Sequence, residues 1–169
     1  DETINQDGVS DFLQDGIAAT PSTVEIKRTG RYVRIQLGGQ GFLTLAEIEV
    51  FGCDNGNPGS TGEGNGDCSA STNLAPLGFT TQISTQFSGT SDRAVDGNTE
   101  GGFWDTEQSV SLTEWSENAW WKIDLGEIAN IDEVKIWNRT DCCTDILKNY
   151  YVFISDVPFV SEDLSATLD

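Results

Sequence analysis

Residues 120–126 read Trp120-Trp121-Lys122-Ile123-Asp124-Leu125-Gly126. Trp121, Ile123 and Leu125 alternate with Lys122 and Asp124, the two-residue period of a strand with one buried face. The same period recurs on either side. Val33, Ile35 and Leu37 share a face opposite Arg34 and Gln36. Thr44, Ala46, Ile48 and Val50 oppose Glu47 and Glu49 within 42–51. Further along, Val134 and Ile136 oppose Glu133, Lys135 and Trp137, and Val152 and Ile154 alternate with Tyr151 and Phe153. Short period-two runs punctuated by Gly and Asn turns predict antiparallel sheets. The expected fold is all-β, an antiparallel β-sandwich. Helical patterning is scarce; short turns are expected near Ala94–Asp96 and Ser161–Leu164.

The runs are interrupted once. Residues 54–67 read DNGNPGSTGEGNGD, a segment with no large apolar residue that is expected to be a flexible linker. Cys53 and Cys68 bracket it, so a disulfide closing this loop is expected, worth about 3 kcal/mol by chain entropy. The alternative is that each pairs outside this chain. The other two cysteines, Cys142 and Cys143, are neighbours in the run Asn138-Arg139-Thr140-Asp141-Cys142-Cys143. Adjacent Cα atoms lie about 3.8 Å apart, closer than the roughly 4.4–6.8 Å an ordinary disulfide spans. Three readings stay open for them: a strained bond to each other, bonds elsewhere, or a reduced pair.

Charge narrows the partners. Asp and Glu number 28 against 9 Lys and Arg, a net charge of −19 in 169 residues. Nucleic acid, anionic membranes and sulfated glycans are repelled by such a surface. The chain has no histidine, which removes the commonest general base and metal ligand. Calcium remains available, because it needs only oxygen ligands. Four cysteines in an acidic, Gly-rich chain predict an extracellular setting. No apolar run approaches the roughly 20 residues of a membrane span. No signal peptide is recognisable, so the chain reads as a mature or excised piece.

Several of these segments together resemble a known family. Asn73-Leu74-Ala75, Ala94-Val95-Asp96-Gly97-Asn98, the 120–126 run and the Asn138–Cys143 run look like the first part of an F-type (fucose-binding) lectin domain. They are also similar to the wider discoidin, or coagulation factor type C, group, whose fold is a jelly-roll-like, galactose-binding-like sandwich. Residues 30–37 and 43–52 resemble the last two strands of the same domain. The order is inverted: residues 1–53 look like the domain's end and 68–169 like its beginning. Either the chain is circularly permuted through 54–67, or its pieces belong to neighbouring repeats of a tandem array. One closed domain over 1–169 is expected.

The resemblance implies two sites. A structural calcium ion would take carboxylates from Asp96 and Glu47, and main-chain oxygens from Arg93, Asn98, Ala46 and Ser109, with Ser111 the alternative to Ser109. The sugar pocket would take Arg139 and Asp141 beside a Cys142–Cys143 disulfide. The family's histidine position, 27 residues before Arg139, is Leu112 here, and its second basic position, five after Asp141, is Ile146. Lys148 is the nearest substitute. Fucose specificity therefore does not carry over, since polar sites discriminate through such donors. Trp104 and Trp115 are candidate stacking platforms for a sugar's C–H face. The structural reading of Arg139 and Asp141 is a simple salt bridge, and that of the tryptophans is core packing.

The expected function is a secreted, non-catalytic carbohydrate-binding module for a neutral sugar, part of a larger multidomain protein, with no nucleic-acid partner and no membrane insertion. The alternative is a cell-surface or protein adhesion domain of discoidin type, in which Leu112 and Trp104 would touch protein. No carboxylate pair at catalytic spacing stands out, so the chain does not read as an enzyme.

Overall fold

The computed structural model describes residues 8–54, 68, 70–104 and 108–168. Almost the whole expected linker, 55–67, lies outside them. The strands are β1 (Val9–Ile17), β2 (Ser22–Leu37), β3 (Gln40–Gly41), β4 (Thr44–Leu45), β5 (Glu47–Asp54), β6 (Thr72–Asn73), β7 (Phe79–Gln82), β8 (Ser111–Leu112), β9 (Ser116–Glu117), β10 (Trp120–Trp137) and β11 (Lys148–Ser155). All pairings are antiparallel. The main sheet runs β1-β11-β2-β10-β5-β6, with β7 also on β10. Small ladders β3–β9 and β4–β8 stand apart from it. The architecture is an all-β antiparallel sandwich, as the alternation predicts.

Two long strands build it. The first half of β10 pairs with β7 and the end of β2, and its second half with β5 and the start of β2. Side chains from both halves meet in one core: Val33, Ile35, Trp121 and Ile123 from one, Val24, Ile48, Val134 and Ile136 from the other. The parity of the buried positions in β10 switches from odd (121, 123, 131) to even (134, 136). A register shift between Ile131 and Glu133 supplies the extra residue, and one residue is enough to turn every later side chain to the opposite face. Gly30 sits where β2 crosses the core. A Cβ there would overlap Ile154 and press on Ile131 at 3.2 Å, so the crossing needs glycine.

Residues 9–54 and 72–155 thus share one sheet: β2 lies between β11 and β10, and β5 between β10 and β6. Cys53 and Cys68 are bonded, with Cα atoms 5.8 Å apart.

The structure departs from the sequence reading in three places. The 42–51 run is not one strand; it bends at Ala46, between β4 and β5. The helical turn near Ala94 spans Ser91–Val95 as a 3-10 helix, and the C-terminal turn forms around Leu164–Thr167, later than expected. Arg34 and Gln36, which the alternation sets on the polar face opposite Val33 and Ile35, are fully buried. Residues 159–167 cover them: Arg34 donates to Ser161 O (2.8 Å) and Thr167 Oγ1 (2.6 Å), and Gln36 donates to Glu162 O (2.8 Å). The Arg34 guanidinium also lies over the rings of Phe153 and Phe159.

Candidate functional site

The site lies at one end of the sandwich, where β10 stops. Arg139 lies two residues past the end of that strand and is only 5% exposed. Its Nε and Nη2 donate side-on to Asp141, at 2.5 and 3.1 Å, so Nη1 takes no part in the pair. Asp141 Oδ2 also accepts the backbone N–H of Trp104 at 3.1 Å. The bonded guanidinium is the main reason the Asp141 carboxyl is held down to about 2, against a smaller upward push from burial. The Arg139 guanidinium lies 5.0 Å over the ring of Phe103.

Two loops are fastened together here. Thr140 N–H donates to Gly101 O at 2.9 Å, and Thr140 Oγ1 to Glu100 O at 2.6 Å. Gly101 has φ +72°, and a Cβ on it would meet Asn138 O at 2.8 Å. Asn138, almost fully buried, donates from Nδ2 to Thr144 O at 2.8 Å and so closes the turn beyond the cysteines. Cys142 and Cys143 are bonded to each other, with Cα atoms 3.8 Å apart, and Cys143 has φ +59°.

Around this anchor is a depression of about 220 Å³. Arg139 and Cys143 line it, with Leu112 and Ile146 at the two positions where the resemblance implies basic residues, and Phe42, Gln86, Phe87 and Trp104 complete the lining. The walls are therefore apolar around one guanidinium. Phe87 packs against Trp104 at 5.4 Å and Phe103 against Trp104 at 4.8 Å. Phe87 and Ser88 both have positive φ, +47° and +60°, a costly conformation for residues with a Cβ.

Of the residues expected at the sugar pocket, Arg139, Cys143, Trp104 and Leu112 line it, and Asp141 orients Arg139 from behind. Cys142 is reached through its bond to Cys143. Lys148 does not join them. It begins β11 and lines a separate depression with Gln40 and Asn149, beyond Ile146, because two residues of extended chain carry it past the wall. Trp115 is also outside the lining, but its ring packs edge-on against Phe42 at 5.2 Å. The sequence reading misses Phe42, Gln86 and Phe87. Only Phe87 left a signal, a large apolar residue alone in the polar stretch Ser84–Thr90.

Of the six residues expected to hold a cation, Glu47 and the turn carrying Asp96 and Asn98 are brought together by a hydrogen bond to Gly97. Glu47 is 1% exposed, so it is not the solvated strand residue that its alternation with Ile48 would make it. Its Oε1 accepts Gly97 N–H at 3.1 Å, while Oε2 is buried with no hydrogen-bond partner. Burial pushes the Glu47 carboxyl up to about 7; the Gly97 N–H opposes this and the nearby Asp96 charge adds to it. Asp96 accepts Asn98 N–H at 2.8 Å, in the turn that follows the 3-10 helix carrying Arg93. Ala46, next to Glu47 in the chain, and Ser109 are also fully buried. An orphaned buried carboxylate oxygen facing a second carboxylate suits a hard divalent cation. No group of three or more His, Cys, Asp or Glu forms a metal cluster among the described residues, so most ligands would be main-chain oxygens.

Comparison with known proteins fits this geometry. Residues 93–165 match the family described as NedA-like, galactose-binding domain. The chain is 36% identical over 63 residues to Fucolectin-1 of Anguilla japonica, covering 37% of this chain and 34% of that protein. It is 33% identical over 75 residues to Fucolectin-3 of the same species, covering 43% and 40%, and 38% identical over 50 residues to Fucolectin of Anguilla anguilla, covering 30% of each. The chain thus spans between 30% and 40% of the length of these curated relatives. No solved structure matches it. Over residues 93–165 the chain is thus similar to the NedA-like galactose-binding domains, and over shorter stretches to the fucolectins, on an antiparallel sandwich that suits both.

Proposed function

We propose that this domain is a carbohydrate-binding module that takes a neutral sugar in the depression around Arg139. The observation that carries the reading is the buried Arg139, fixed by Asp141 over the ring of Phe103, lining an aromatic pocket together with Cys143 of a vicinal disulfide. A fixed guanidinium donates to sugar oxygens in set directions, and apolar walls take the C–H face. With Leu112 and Ile146 in place of two donors, the fucose that the relatives' names indicate for those proteins does not carry over to this site. A calcium ion held by Asp96, Glu47 and the main chain of Arg93, Asn98, Ala46 and Ser109 neutralises the carboxylates and fixes the loop behind the pocket.

The setting is read as extracellular, within a larger protein; two disulfides support an oxidising compartment. No helix among the described residues is long and apolar enough to cross a membrane. The inverted order of the two pieces is read as a circular permutation, supported by the way β2 and β5 interleave with β10 and β11. The adhesion reading rests on the exposed Phe87, Trp104 and Trp115, which suit a protein surface as well.

A glycan array with and without a calcium chelator tests the proposal. Binding to neutral glycans that disappears in Arg139→Ala supports it. Absence of binding to any neutral glycan, with capture by a cell-surface protein instead, moves the reading to adhesion.

A further inference from the structure

Three large aromatic residues at the mouth of the site are left in water: Trp104, Phe87 and Trp115 are 67%, 62% and 61% exposed. Leaving so much ring surface uncovered is unfavourable, and a contiguous exposed apolar patch marks a binding surface. Trp104 and Phe87 already frame the pocket. Trp115 lies beyond it, joined to it through Phe42, which is at once a pocket wall and the ring against which the indole packs edge-on. One pyranose in the depression has no reason to reach Trp115.

The loop that presents Trp115 is held on both flanks. Thr113 N–H donates to Leu43 O at 3.1 Å, and Thr113 Oγ1 accepts Leu43 N–H at 2.9 Å. Glu114 N–H donates to Ser84 Oγ at 2.9 Å, and Ser116 pairs with Gly41 in the β3–β9 ladder. An aromatic side chain on a braced loop loses little freedom on binding, which is how a stacking platform is made effective. The lining carries one cation, Arg139, and its charge is engaged by Asp141, while the chain as a whole carries −19. An uncharged occupant fits these electrostatics; an anionic one is repelled.

We infer that the site takes a neutral oligosaccharide and not a lone monosaccharide, with one unit in the Arg139 pocket and the next stacked on the Trp115 shelf across Phe42. The inference rests on the carbohydrate reading of that pocket. Its test uses L-fucose, D-galactose and D-mannose, each as the free sugar and as short neutral oligomers, titrated calorimetrically into the intact disulfide-bonded protein. The expected result is that at least one oligomer binds about tenfold or more tightly than its free sugar. Trp115→Ala then collapses that ratio toward one and Trp115→Tyr restores most of it, whereas Trp104→Ala weakens both ligands together. Equal affinity for sugar and oligomer in the unaltered protein overturns the inference and leaves the sugar reading standing. So does a ratio that survives Trp115→Ala. No binding of any of these sugars overturns both.

Discussion

Trp104 donates its backbone N–H to the Oδ2 of Asp141, 37 residues away in the chain, and the same carboxylate grips Arg139. One side chain therefore sets both the aromatic wall and the cation of the pocket. Asp141→Asn keeps the shape and removes the charge. It leaves a buried guanidinium without its counter-ion, at an expected cost of about 1–3 kcal/mol. For a chain of this size that lowers Tm by roughly 2–4 °C per kcal/mol. Calorimetry checks the stability, and the glycan array should lose its signal. An unchanged Tm together with unchanged binding contradicts the role given to Asp141.

The same pair predicts an acid limit. A carboxyl held down to about 2 in the fold, below its ordinary value near 4, contributes stability that is fully present above the ordinary value. That contribution fades as pH falls from about 4 and is gone once pH passes below 2. The near-ultraviolet signal of Trp104 should accordingly hold down to about pH 3 and change with a midpoint near 2. A midpoint near 4 would mean that Asp141 is not paired in solution.

Calcium removal has a local signature. At a hundredfold excess over its Kd, a single bound ion stabilises the fold by about 2.7 kcal/mol. Titration with calcium after chelation should raise Tm, and Glu47→Gln should abolish the rise, because the buried Oε2 is the oxygen left without a partner. A rise that persists in Glu47→Gln places the ion elsewhere.

The two disulfides should separate stability from binding. Cys53–Cys68 closes 15 residues, for which chain entropy gives about 3 kcal/mol, whereas Cys142–Cys143 closes a loop of one peptide bond and restricts the unfolded chain far less. The Cys53→Ser/Cys68→Ser variant should melt well below the parent and still bind sugar when folded. The Cys142→Ser/Cys143→Ser variant should keep most of the Tm and lose sugar affinity, by calorimetry of both properties on each protein.

Arg34 predicts how the C-terminal segment comes loose. It is buried, and burial lowers its guanidinium to about 10 against an opposing pull from the Glu162 charge. Arg34→Met leaves Ser161 O and Thr167 Oγ1 without their donor, an expected loss of about 1–3 kcal/mol confined to 158–168. Limited proteolysis should cut that segment faster in the variant while the strands stay protected. An equal rate of cutting in both proteins contradicts this.

The sandwich was legible because period-two alternation survives in the strands that face the core on one side, such as Trp121 to Leu125 and Val152 to Ile154. β1 and the first half of β2 were not read. Phe12 is a lone apolar anchor in β1, and Val24 and Ile26 make too short an alternation to stand out. Arg34, Gln36 and Glu47 are polar by type, and pattern alone assigns them to water; only tertiary cover, by residues 159–167 or by the Gly97 turn, puts them inside. At the site, Arg139, Asp141 and the cysteines are neighbours in sequence and could be grouped. Phe42 and Phe87 come to them from distant strands and loops, and nothing local in the chain announces that convergence.

Asn138 closes the turn beyond the cysteines with its side-chain amide, and it also opens the triplet Asn138-Arg139-Thr140, the acceptor pattern for N-linked glycans. Folded, the amide is bonded to Thr144 O and almost fully buried, so an oligosaccharyltransferase could reach it only on the nascent chain. A glycan attached then would sit where Gly101 and Thr140 must meet. Recombinant production should therefore use a host that forms disulfides without N-glycosylation, such as the periplasm of a bacterium, and in a eukaryotic secretory host the unmodified chain should be the fraction that folds.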